Sequence, residues 1–419
     1  APRGGGPPRP PRSAADERDA PPPTARYAAA TSLIEAEDGA HLEDALDANA
    51  PPAGPDRDLA WFLAFGVLRR RGHVDAALRS LVSQPITALD PPVRAVLRLG
   101  AFEVLFARTP RHAIVHQAVE TVRALGAGRA HGMVNAVLRR VEPIESLSEA
   151  DALDTPAWLL ARWNQRYGVE ATAAWCRANA ENPPLFAVAK PGWAAPSDWT
   201  PVGRDVYRVE ATGQVSALPG FAEGAWWVQD LASVQVADLV ADAAAPGSTV
   251  LDACAAPGGK TFRLAARGLA VFATDVDPRR LDRVREGAAR LGLVTHGQVV
   301  DWTDGGADLG AYDAVLVDAP CTGLGTVRRH PEIRWKRTEP DLYRASALEH
   351  RIADRALAHV RPGGFAVYAV CSPEPEEGEE VVERLLADRP GWTVEARLST
   401  APPVAGEDAH FAVRIRRPA

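Results

Sequence analysis

The chain has 419 residues, 46% hydrophobic and 24% charged, which excludes a fibrous or wholly disordered protein and makes room for two or three domains. A net charge of -7 excludes a uniformly basic nucleic-acid binder, and no unbroken apolar stretch reaches the ~18 residues that a membrane-spanning helix needs. The four cysteines, Cys176, Cys254, Cys321 and Cys371, stand far apart with no C-x-x-C pair, so neither a zinc site nor a disulfide scaffold is expected, and a reducing cytoplasm is.

Residues 1–26 are rich in Pro, Gly and Arg and carry no apolar core, which predicts a disordered leader rather than a secretory signal. From 27 to 142 apolar residues recur at spacings of three and four, as in LAWFLAFGVLRR and AIVHQAVETVRAL, predicting a bundle of amphipathic helices. Between Arg57 and Val141 stand 13 arginines against 5 acids, an excess of +8 that suits either a polyanion-binding domain or a solvated helical face. His112 and His116 lie four apart on one predicted helix, but without a third ligand they read as a helix face, and no metal is expected.

Thr155-Pro156 opens a further helical stretch, in which Trp158, Trp163 and Trp175 are expected to anchor packing. Residues 143–225 thus form a helical linker and a small α/β subdomain, Gly/Pro-broken and strand-like after Asn182-Pro183-Pro184. After Trp226 short apolar runs (TVLDAC, AVFATD, GQVVD, YDAVLVDAP, GFAVYAVCS) alternate with helix-like segments. That alternation predicts a doubly wound sheet with its functional edge at the strands' C-terminal ends, and WTVEARL and HFAVRIRR can add two more strands.

The loop DACAAPGGKT, Asp252 to Thr261, follows the first of these strands and opens a helix, where glycine lets backbone approach a ligand. A phosphate-binding loop shares its Gly259-Lys260-Thr261 but needs glycine where Cys254 stands. Asp275 closes the second strand, in position to accept ribose hydroxyls, and Asp301 is expected to close the third, near an adenine amino group. A phosphate-loop ATPase needs neither acid, so the ordered series favours a nucleoside crevice of the S-adenosylmethionine type. Only three lysines accompany 44 arginines, and Lys260 stands where a compact ammonium suits the loop.

Cys321 and Cys371 follow the fourth and fifth strands. Neighbouring strands lie ~4.8 Å apart, so the two thiols can face one cleft. Beside a methyl donor, a thiolate can add to carbon 6 of a pyrimidine and turn carbon 5 into a nucleophile. Asp318, three residues before Cys321, is the candidate to hydrogen-bond the ring. Methylation of an exocyclic amine needs no thiol. The basic stretch RRHPEIRWKR, with Arg328, Arg329, Arg334, Trp335 and Lys336, can hold phosphates and stack a base that is unpaired or flipped.

LDACAAPGGKT, DAPCTGLGTVRRHPEIRWKR and VCSPEPEE closely resemble the signatures of RNA cytosine-5 methyltransferases. With GVLRR, VLRLGAFEVL and VNAVLRR, which look like a NusB-type RNA-binding domain, the combination resembles the small-subunit ribosomal RNA methyltransferases of the Sun/Fmu type over nearly all of the chain after the leader. The resemblance implies Cys371 as nucleophile and Cys321 as the residue aiding product release, roles that spacing alone cannot rank. It also implies that S-adenosylmethionine sits on Cys254, Ala255, Ala256, Pro257, Gly258, Gly259, Lys260, Asp275, Asp301 and Asp318. The expected architecture is a class I methyltransferase domain over 226–419, Rossmann-like and α/β, behind an all-α NusB-like bundle over 27–142, acting as a monomer on RNA. A transfer-RNA substrate and a non-catalytic ribosome-assembly factor are the alternatives, the second needing no thiol pair. Four departures from the family pattern stand out: Val188 and Lys190 replace an Arg-x-Asn pair, Gly378 replaces an Asn, and Asp408-Ala409-His410-Phe411 replaces Asp-Gly-Phe-Phe.

Overall fold

The computed structural model describes residues 24–143, 152–210, 214–403 and 406–419. The leader expected over 1–26 lies almost wholly outside them; the first helix begins at Ala25, with the Thr24 side chain accepting from the Tyr27 amide. The described residues divide into two compact units, one ending at residue 143 and the other beginning at residue 152.

The first unit is helical: α1 (Ala25–Glu37), α2 (Leu42–Asn49), α3 (Pro55–Arg69), α4 (Arg71–Arg79), α5 (Pro91–Phe106), α6 (Arg111–Ala124) and α7 (His131–Leu138). Helix α5 is its axis, burying Val93, Val96, Leu97, Ala101 and Phe102. A side-chain carbon on Gly100 would lie 2.4 Å from Leu138, so glycine sets how closely α7 approaches. Charges that the bundle buries are paired: Arg98, 3% exposed, meets Asp75 at 2.7 Å as well as Glu37, and Glu103, 2% exposed, receives Arg26. Part of the arginine excess is therefore structural. Arg129, Arg139 and Arg140, at the two ends of α7, remain exposed.

The second unit opens with α8 (Ala157–Tyr167) and α9 (Val169–Asn179), joined by Trp163 and Trp175 stacked with ring centroids 3.9 Å apart. Strands β1 (Leu185–Ala189), β2 (Thr200–Gly203), β3 (Val206–Val209) and β4 (Trp226–Val228) form an antiparallel sheet in the order β2-β3-β1-β4. Helix α10 (Leu231–Ala241) then leads into the larger sheet. Its strands are β5 (Thr249–Asp252), β6 (Ala270–Asp275), β7 (His296–Val299), β8 (Tyr312–Asp318), β9 (Val360–Val370), β10 (Thr393–Ser399) and β11 (Phe411–Arg416), in the order β10-β11-β9-β8-β5-β6-β7. Strands β5 to β9 are parallel, and β11 and β10 complete the sheet antiparallel. The connecting helices are α11 (Gly259–Ala266), α12 (Pro278–Leu291), α13 (Glu332–Lys336), α14 (Glu339–Leu357) and α15 (Glu379–Ala387). Covering both faces explains why β8 reads as an unbroken apolar run, with Ala314 to Val317 fully buried. The order reverses between β5 and β8, the switch point at which such sheets bind ligands.

Candidate active site

The parallel strands deliver their last residues to one edge: Asp252 from β5, Asp275 from β6, Asp318 from β8, and Cys371 immediately after β9. Register pairs Asp318 with Ala369, two residues before Cys371. Across the switch point Lys260, in the first turn of α11, donates to Asp318 Oδ2 at 2.6 Å. Burial opposes the charge on Lys260, but Asp318 outweighs it and holds the ammonium above its ordinary pKa.

The loop before α11 is built to turn sharply. Gly258 has φ +114°, and a side-chain carbon there would lie 2.4 Å from the Phe262 ring. Asp252 Oδ2 accepts from Thr261 Oγ1 at 2.7 Å while Oδ1, buried, has no partner; burial pushes this carboxyl up to about 7. Asp275 accepts from the amides of Ala256 (3.3 Å) and Asp277 (3.1 Å), fastening the loop to the neighbouring strand. Asp301 does not end a strand as expected. Strand β7 stops at Val299, and Asp301 sits in the following exposed turn, where the Thr303 hydroxyl (2.6 Å) and amide (2.7 Å) hold its carboxyl below the usual range.

The thiols meet. Cys321 Sγ lies 3.3 Å from Cys371 Sγ. That contact, then burial, pushes the Cys321 thiol well above its ordinary range, and either sulfur can be the donor across the contact. Ala255, Ala256, Pro257, Gly259, Lys260, Asp318 and Cys371 line one cavity of about 560 Å³. Cys254, Gly258, Cys321, Asp275 and Asp301 lie outside its lining.

Asp230, Asp408 and His410 also line this cavity, and with Arg329 they form a group that sequence reasoning missed. Arg329 bridges Asp230 (2.8 Å) and Asp408 (2.9 Å), and the Asp408 amide donates to Asp230. Burial, then Asp230, pushes the Asp408 carboxyl up to about 7. His410 is buried with Nδ1 unpartnered, and burial, then Lys260, pulls it down to about 4, so its imidazole is neutral. The altered Asp-Ala-His-Phe stretch signalled two of the four; Asp230 carried the weaker signal of an N-cap before α10, where it accepts from the Ala232 amide.

The basic stretch is only partly a surface. Arg334 is 1% exposed and donates to the carbonyls of Asp154, Asn179 and Val327 at 2.9 to 3.1 Å, so it is a structural clamp and not a phosphate contact. Arg329 is committed to its two carboxylates. Arg328 donates to the Asn182 carbonyl at 2.9 Å, and Trp335 and Lys336 are half-buried on α13. Two of the sequence departures turn out to serve packing: Val188 is fully buried, and Lys190 Nζ binds the Leu291 carbonyl at the end of α12 at 3.0 Å.

Comparison with known proteins decides the family. The 16S rRNA methyltransferase RsmB/F family matches residues 240–415, and the NusB family matches residues 23–143. The ribosomal RNA small subunit methyltransferase B of Xanthomonas campestris pv. campestris is 36% identical over 387 residues, 86% of this chain and 87% of its own length. The chain belongs to the ribosomal RNA small subunit methyltransferase B family. The Cronobacter sakazakii member is 33% identical over 371 residues, 83% of this chain and 86% of its own. The crystal structure of PH0851 shares the fold of this methyltransferase, with a TM-score of 0.77 over 95% of this chain and 99% of its own at 22% identity. Members of the family use S-adenosylmethionine, and the residues present fit it. The loop from Cys254 to Gly259 carries only small side chains and Pro257, so its backbone is approachable, and the orphaned Asp252 Oδ1 and the Asp275 carboxylate suit the hydroxyl and amine donors of a nucleoside.

Proposed function

We propose that this methyltransferase acts on carbon 5 of a cytosine in small-subunit ribosomal RNA, with Cys371 bonding covalently to carbon 6. The observation that carries the reading is the 3.3 Å approach of the two thiols beside the Lys260–Asp318 pair. In this reading Cys371 Sγ adds to carbon 6, and Asp318 hydrogen-bonds the polar edge of the ring as charge develops there. When bound, S-adenosylmethionine supplies an electrophilic methyl group, which the activated carbon 5 receives. A base, water or a nearby side chain, then takes the carbon 5 proton, the electrons of that bond restore the ring double bond, and Cys371 leaves as a thiolate, with Cys321 beside it assisting release. We assign donor binding to residues 254–260, Asp275, Asp301 and Asp318.

Affinity for RNA is assigned to residues 27–142, on the strength of the NusB match over 23–143 and the exposed Arg129, Arg139 and Arg140. Residues 143–225 then serve as linker and subdomain, and 226–419 as the catalytic part. The small-subunit substrate follows the names of the relatives from Xanthomonas campestris and Cronobacter sakazakii. Cys254, Cys321 and Cys371 carry free thiols, which suits a reducing cytoplasm.

Bisulfite sequencing of ribosomal RNA from cells with and without the gene tests the reaction. A small-subunit cytosine protected only when the gene is present is the expected result. An unchanged pattern, with methylation by the purified enzyme confined to another atom or another RNA, overturns it.

A further inference from the structure

Each working thiol is followed by a hydroxyl residue, Thr322 after Cys321 and Ser372 after Cys371, and both turn to the same carboxylate. Glu377 Oε1 accepts from the Thr322 amide at 2.6 Å. Its Oε2 accepts from Thr322 Oγ1 at 2.6 Å and from Ser372 Oγ. Glu377 is wholly buried, and its backbone is pinned by Tyr368 of β9, whose hydroxyl donates to the Glu377 carbonyl at 2.6 Å. A buried carboxylate is costly unless its lone pairs are met, and here the donors that meet them come from both thiol-bearing loops. Its neighbour Glu349, also wholly buried, is pushed up to about 10 by burial and by Glu377, so it adds no second charge.

A second tie runs through the backbone. The Gly325 amide donates to the Cys371 carbonyl at 3.0 Å, and a side-chain carbon on Gly325 would lie 2.9 Å from that oxygen and 1.8 Å from the Ala409 carbonyl. A further backbone bond, from the Ala319 amide to the Ala369 carbonyl at 2.9 Å, joins the two segments on the strand side of the thiols. The Glu377 carboxylate is the side-chain tie, bonded to the residue directly after each cysteine.

We infer that Glu377 is a positioning residue, a buried clamp that joins the Cys321 and Cys371 loops and sets the separation of their sulfurs; its effect on turnover rests on the thiol mechanism proposed above. Glutamine at 377 has one acceptor oxygen in place of two and adds an N–H pair where hydroxyls now donate. It therefore fills the space but replaces charge-assisted bonds with weaker neutral ones and leaves the two hydroxyl protons without their acceptor, so both loops are held more loosely.

The sulfur separation can be read without methylation chemistry. Diamide, which takes up two hydrogens as two thiols join, should close Cys321 to Cys371 in the full-length enzyme, followed by peptide mass. In Glu377→Gln that closure should slow roughly tenfold or more, with kcat falling by a similar factor while KM for RNA and donor affinity stay within about twofold. Wild-type closure and turnover in Glu377→Gln overturn the clamp. If that variant fails to fold, Ser372→Ala and Thr322→Val each remove one hydroxyl donor. Slower closure in both sustains the clamp, and unchanged closure in both overturns it. Slow closure with normal turnover would keep the clamp while refuting the thiol mechanism, so the two failures are distinct.

Discussion

Lys260 Nζ and Asp318 Oδ2, 2.6 Å apart, join the first turn of α11 to the last residue of β8 and so tie the donor loop to the strand beside both thiols. Lys260 is 9% exposed, in a chain that places arginine almost everywhere else. Lys260→Arg keeps the charge but replaces a compact ammonium with a broad planar fork. Donor affinity should fall by roughly tenfold or more, the scale of a lost charge-assisted hydrogen bond at about 1.5–3 kcal/mol. Calorimetry on the folded variant checks this, and unchanged affinity would show that the site accepts the fork.

The two thiols should fail differently. Cys371→Ala leaves no nucleophile, so neither methylation nor a protein–RNA adduct forms. Cys321→Ala still permits attack and methyl transfer but releases product slowly, leaving methylated RNA joined to Cys371. A denaturing gel with labelled RNA and S-adenosylmethionine should show a slower band for Cys321→Ala alone. A band for Cys371→Ala alone would reverse the roles.

Arg129, Arg139 and Arg140 test the RNA assignment of the helical unit. Replacing all three with alanine should weaken RNA binding and lower the slope of log affinity against log salt by roughly 1 for each phosphate no longer neutralised. Donor binding should not change, because the donor loop belongs to the other compact unit. An unchanged slope would mark these arginines as solvated surface.

Glu349 makes a prediction about stability. Burial, then Glu377, lifts its pKa from 4.5 to about 10. Between those values the folded protein holds a proton that the unfolded chain has released. Stability therefore falls as pH rises through the window, by about 1.4 kcal/mol per pH unit for one proton. Glu349→Gln stays neutral at similar volume and should flatten that slope. Chemical denaturation across the neutral range measures it, and equal slopes for variant and wild type would show that Glu349 does not carry the proton.

The sheet and its edge were legible because each strand announces itself locally, by an apolar run closed with an acid or a thiol. The thiol pair was legible for the same reason, since adjacent parallel strands bring their ends together. What sequence could not show was assembled from distant pieces. The cluster of Asp230, Arg329, Asp408 and His410 draws on three segments, and no periodicity relates them. Arg334 misled because a basic loop advertises its charge, whereas the three carbonyls that bury it come from positions 154, 179 and 327. Asp301 fell short because a strand's pairing, and not its sequence pattern, decides where it stops: β6 pairs with β7 only as far as Val299.

Strand β11 lies between β9 and β10, and β10 pairs with no other strand among the described residues. During synthesis both neighbours emerge from the ribosome before the strand that joins them. Until residues 411–416 are free, the edge of β9 from Phe365 to Val370 is an open apolar template for mispairing, and Asp408 and His410 have yet to be anchored. The strand that leads directly to Cys371 is thus the one left exposed on its outer side while its partner is still being made.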